Sequence, residues 1–258
     1  MTFVRWVLGD IRRPAQAALI GALGVIAVSA ITFQLTTHMR PVGKVAGLQG
    51  FSESFVGTAI QTGTYKTKSL GGGSIRQNDK LITAGKSSGG VLWNVLYTKG
   101  DAGLQTTVSS QARVALTTTG TLDGDAMAIL GVEKRSRVAT GNQSGAFCEL
   151  SKGSHGTILR MENTSGTPSD SVSLSTTTGT LALSYNPRTA VLTCRFGGAS
   201  VSLAQPTAAG PFALTLRSGL HKIVTDQEGL EAAGHGTEHG GTGNYTATFD
   251  DWRVTVGK

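Results

Sequence analysis

The chain has 258 residues, with 23 Lys plus Arg against 16 Asp plus Glu, a formal charge of +7. An apolar fraction of 39% and a mean hydropathy near zero exclude an acidic disordered tail and a polytopic membrane protein. The 36 glycines follow no collagen triplet, and two cysteines are too few for a disulfide-scaffold mini-protein or a four-cysteine zinc site.

Met1–Pro14 carries Arg5, Arg12 and Arg13 against Asp10, and residues 15–36, AQAALIGALGVIAVSAITFQLT, hold no charge. As a helix this run rises about 33 Å, enough for a hydrocarbon core. The predicted elements are an N-terminal signal anchor over 1–40, with a transmembrane helix at 15–36 as the membrane contact, and a linker over 41–50. Secretion after signal cleavage is the alternative; Val28–Ala30 offers V-S-A, but cutting there leaves a short apolar region. Three arginines before the span against Arg40 and Lys44 after it point to a single-pass protein with its C-terminal domain extracytoplasmic.

From residue 51 to 258 the pattern changes to short β-branched and apolar runs separated by Gly, Ser, Thr and Asn, which predicts an all-β domain. Val91–Tyr97 is apolar almost throughout and is expected between two layers. Ala112, Val114 and Leu116 alternate, as do Phe212, Leu214 and Leu216. Leu181, Leu183 and Tyr185, the Asn186–Ala190 turn, and Leu192, Cys194 and Phe196 make a hairpin with one apolar face. Near the C-terminus Trp252, Val254 and Val256 share a face, and a bulge at Asp250–Asp251 brings Phe249 to the same side. The natural partner of that strand is Phe51–Phe55.

Three of these segments resemble the concanavalin A-like lectin/glucanase superfamily, in particular its laminin-G-like members. FSESFVG at 51–57 is similar to the opening strand, LSYNPRTAVLTCRF to the central hairpin, and TFDDWRVTV at 248–256 to the closing strand. The resemblance implies a two-sheet antiparallel jelly-roll sandwich that binds glycans or protein partners on a sheet face or rim. The glucanase triplet E-x-D-x-x-E is missing, so the resemblance carries no catalytic residues.

Trp93, Tyr97 and Tyr185 are the candidate sugar-stacking platform, with core or rim positions as the plainer reading. His235, Glu238 and His239 spell H-x-x-E-H, whose peptidase chemistry needs a helix that the surrounding glycines oppose. A solvated loop tip, or a loop holding a divalent metal ion, are the readings left. Glu133–Arg137 reads as a solvated strand end or loop. Cys148 and Cys194 sit on strands with apolar neighbours; outside the cytoplasm they make a disulfide closing about 46 residues, and otherwise each is a small buried hydrophobe. The expected function is a non-catalytic recognition or adhesion module, binding glycan or a surface protein, with no nucleic acid partner. The alternatives are a self-assembling homo-oligomeric subunit of an envelope or virion surface, and a glycoside hydrolase with a relocated carboxylate pair.

Overall fold

The computed structural model describes residues 48–140, 145–154, 156–162, 169–205, 211–224 and 237–257. The predicted anchor over 1–40 and most of the linker lie outside them. Among the described residues no helix is long and apolar enough to cross a membrane.

The chain opens with β1 (Phe51–Glu53), β2 (Tyr65–Leu70), β3 (Ser74–Gln77), β4 (Leu81–Ser88) and β5 (Leu92–Thr98). Two long strands follow, β6 (Val108–Asp123) and β7 (Asp125–Lys134), then the short helix α1 (Arg135–Thr140). Next come β8 (Gly145–Gly153), β9 (Gly156–Glu162), β10 (Val172–Leu174), β11 (Thr178–Asn186), β12 (Val191–Phe196) and β13 (Ala199–Ala204). The last three strands are β14 (Phe212–Val224), β15 (Thr237–Gly240) and β16 (Thr242–Val256).

All these strands pair antiparallel, in two sheets. The first has the order β13-β12-β11-β6-β16-β4-β3, with β1 on β16; the second has β10-β9-β8-β7-β14-β5-β2, with β15 on β14. Sequence alternation explains the stacking. Ala112, Val114 and Leu116 of β6, Leu181, Leu183 and Tyr185 of β11, and Leu192, Cys194 and Phe196 of β12 point into one core from the first sheet. Leu130 and Val132 of β7, Leu150 of β8, and Leu214 and Leu216 of β14 meet them from the second.

The predicted hairpin is β11–β12, with Leu183 opposite Cys194 and Tyr185 opposite Leu192. Its turn places Ala190 at φ 53°. The predicted bulge is a register shift between Asp250 and Arg253, with Asp251 at φ 47°. It buries both Phe249 and Trp252 in the core. Phe51 pairs with Val254 and Glu53 with Trp252, so the domain's first strand does close on its last.

A polar network crosses the core between the sheets. Asn94 Nδ2 donates to Tyr245 Oη at 2.7 Å and to the Ala84 carbonyl at 3.1 Å, and Ser69 Oγ donates to Asn94 Oδ1. Ser218 Oγ donates to Thr83 Oγ1 and lies 2.9 Å from Tyr245 Oη. Buried polar groups are tolerated when bonded in this way.

The apolar run at Val91–Tyr97 is covered on both faces as expected: β5 is buried throughout, in the second sheet next to its edge strand β2. Two readings of local sequence are corrected. Glu133–Arg137 is not a solvated loop. Glu133 is fully buried, and α1 starts at Arg135, whose guanidinium is ion-paired with Asp101 and donates to the carbonyls of Thr98 and Gly100. Thr237–Gly240 is not a loop tip. It pairs with His221–Val224, and the ladder outweighs the weak strand propensity of glycine.

Candidate functional site

The three aromatic residues singled out from the sequence, Trp93, Tyr97 and Tyr185, do not converge. Tyr185 lies in the core on β11 and is 1% exposed, so it cannot stack a ligand. Trp93 and Tyr97 are on β5, on the face of the second sheet away from the core, and are 4% and 6% exposed. The three-residue platform is therefore not assembled. His235 lies outside the described residues, and Glu238 and His239 fall on β15. Among the described residues no group of three His, Cys, Asp or Glu is placed to hold a metal ion. Cys148 and Cys194 are joined, a disulfide linking β8 of the second sheet to β12 of the first.

The outward face of the second sheet carries charged groups that patterning does not reveal. Glu133 on β7 and Arg217 on β14 form a fully buried ion pair. Arg217 Nε donates to Glu133 Oε1 at 3.1 Å and Nη2 to Oε2 at 2.6 Å, and Thr215 Oγ1 adds a bond to Oε1 at 2.7 Å. The guanidinium stands 5.2 Å from the Trp93 ring centroid. Gly219 makes room for that ring, since a Cβ there would overlap it. Glu149 on β8 pairs with Arg160 on β9, and its charge holds the Arg160 guanidinium well above the usual arginine range, against the lowering effect of burial. Trp93, Met127, Ile129 and Phe147 complete one apolar cluster on this face, and Val95, Tyr97, Ala213 and Val138 of α1 another. Both carboxylates are thus engaged by arginines.

An accessible feature lies at the sandwich edge. An open cleft of about 620 Å³ runs where β2, the edge of the second sheet, approaches β3, the edge of the first. Thr58, Ile60 and Thr62 line it from the loop after β1. Tyr65, Lys66 and Thr67 come from β2, Ile75, Arg76 and Gln77 from β3, and Tyr97 and Lys99 from the end of β5.

Local chemistry fixes these walls. Phe55 takes a left-handed φ of 53° and is buried in the core, with its N–H donating to Glu53 Oε1. Beyond it, Gln77 Nε2 donates to the Val56 carbonyl and the Gly57 N–H to Asp79 Oδ1, tying the loop to the β3–β4 turn. The Gln61 carbonyl accepts from the N–H groups of Thr64 and Tyr65, and the Thr64 carbonyl from Lys99 N–H. The Tyr65 ring is held against Phe51 and Trp252, with centroids 6.1 and 5.7 Å away. Burial, then the charge and hydrogen bond of Glu53, push its phenol well above the usual tyrosine range.

Tyr97 is the sequence candidate that reaches this cleft; Tyr65, Lys66, Arg76 and Lys99 were missed. Charge distribution was the available signal. Residues 51–100 hold six Lys and Arg against two acids, while the remainder of 41–258 balances at thirteen of each. The domain's excess positive charge is thus concentrated in the segment that builds the cleft, not spread evenly along the chain.

No protein-family model matches the sequence, and no curated protein sequence matches it. Solved structures do share its fold. The carbohydrate recognition domain of Emp47p is similar at a TM-score of 0.52 and 11% identity, over 81% of this chain and 96% of that one. LamAcat from Zobellia galactanivorans is similar at 0.52 and 11%, over 82% and 98%. A glycosyl hydrolase family protein from Mycobacterium fortuitum is similar at 0.50 and 11%, over 79% and 98%. These likenesses bear out the two-sheet antiparallel sandwich fold.

Proposed function

We propose that the chain is a non-catalytic glycan-binding module, held outside the cytoplasm by an anchor at residues 15–36. The observation that carries the reading is the open cleft beside β2, on a sandwich whose structural likenesses include a carbohydrate recognition domain. Exposed Thr58, Thr62 and Thr67 offer hydroxyl groups that both donate and accept, and Gln77 lies at the cleft wall. Tyr65 and Tyr97 present little of their rings, so polar contacts rather than face-on stacking dominate. The engagement of Glu133 and Glu149 by arginines supports a role in binding over hydrolysis. The inter-sheet disulfide supports an oxidising compartment.

The test is a glycan array probed with the full chain in detergent micelles. Saturable binding to a defined saccharide class, without its cleavage, is expected. Failure to bind any saccharide together with concentration-dependent self-assembly would overturn the reading in favour of a structural subunit, and turnover of the bound saccharide would overturn non-catalysis.

A further inference from the structure

We infer that the cleft beside β2 selects anionic glycans, those bearing carboxylate or sulfate groups, over uncharged ones. The inference rests on the glycan-binding reading and names its ligand class. Three cations line the cleft, Lys66 on β2, Arg76 on β3 and Lys99 after β5. All three are exposed, and none forms an ion pair among the described residues.

Among the described residues no carboxylate lines the cleft to neutralise them. The two acids of the surrounding segment are occupied elsewhere: Glu53 accepts from the Phe55 N–H and from Tyr65, and Asp79 accepts from the Gly57 N–H. Arg113, Arg135, Arg160 and Arg217, by contrast, each pair with an acid. Three like charges around one concavity repel one another and raise the local potential, which an anionic ligand relieves. Thr58, Thr62 and Thr67 line the same cleft and offer hydroxyl groups to the ring hydroxyls of the same ligand. A lining that combines cations with hydroxyls distinguishes a saccharide carrying charge from charge alone.

The experiment compares matched probes on the full chain in detergent: oligogalacturonate against its methyl ester, and sulfated dextran against dextran. The charged member of at least one pair is expected to bind about tenfold tighter or more, with the advantage shrinking as salt rises from about 0.15 to 0.5 M. Which pair shows it separates carboxylate from sulfate. The combined Lys66→Ala, Arg76→Ala and Lys99→Ala variant is expected to lose that advantage and retain the uncharged baseline, while Arg188→Ala, an exposed cation in the β11–β12 turn, changes nothing. Near-UV circular dichroism of the triple variant checks that the sandwich is intact, and single variants are used if it is not. Equal affinity for both members of each pair, or an advantage that survives the triple variant, overturns the charge selection and leaves glycan binding standing. A single-stranded oligonucleotide of equal charge binding as tightly overturns the glycan ligand class. Binding to none of the saccharides overturns the underlying reading as well.

Discussion

Cys148 on β8 and Cys194 on β12 are bonded across the space between the two sheets, their Cα atoms 5.1 Å apart. The bond joins positions 46 residues apart in sequence. Closing a loop of that length in the unfolded chain contributes about 4 kcal/mol in the chain-entropy account. Replacing both cysteines by alanine is therefore expected to lower the free energy of unfolding by up to about that amount. Denaturant titration of wild type and double variant under oxidising conditions measures it. Coincident curves would show that the cross-link contributes nothing.

The Glu133–Arg217 pair has no access to solvent, so removing one partner strands the other. Glu133→Leu or Arg217→Met alone is expected to cost about 3–5 kcal/mol, whereas the two combined cost much less. Urea unfolding of the three variants forms the test. Two single effects that simply add in the double variant would contradict the coupling.

Trp93 lies where a side chain on Gly219 would be. Gly219→Ala forces the indole off its position against Arg217, and is expected to cost about 1–3 kcal/mol. Loss of near-UV ellipticity from Trp93 accompanies it, measured against a Trp93→Phe reference. An unchanged tryptophan spectrum would show that the ring is not held there.

Burial pushes the Tyr245 phenol up from its ordinary value of 10.0 to about 12, although its bonds to Ser218 and Asn94 lower it. The folded state therefore favours the neutral form. The resulting stabilisation is complete below pH 10 and is lost as pH rises through about 12. Spectrophotometric titration of the four tyrosines shows late-ionising phenols from Tyr65 and Tyr245, and Tyr245→Phe removes the one that ionises at about 12 while Tyr65 still ionises late. Ionisation of all four near the ordinary value would contradict the buried network.

The strand pairs legible in the sequence are those whose signal is local. Leu181–Phe196 shows both its alternation and its turn within one stretch, and Asp250–Asp251 betrays its bulge because Phe249 and Trp252 are out of phase. The apolar run of β5 shows that both its faces are covered, but not that β14 and β2 are its neighbours. Glu133 and Arg217 are 84 residues apart, and nothing near either names the other. Tyr185 looked like a candidate because aromatic residues serve cores and ligand sites alike, and only the burial of β11's inward face decides between them. The cleft is composite, drawing on the 58–62 loop, β2, β3 and β5, and no single motif spans it. Its charge was present in the sequence, visible only once residues 51–100 are counted separately.

The most direct test is hydrogen exchange on the full chain with and without a saturating saccharide taken from the array. Protection is predicted over residues 58–67, over β3, and at the end of β5 around Tyr97 and Lys99. Protection confined to other strands, with those segments exchanging as in the free protein, would contradict the placement of the glycan site in this cleft.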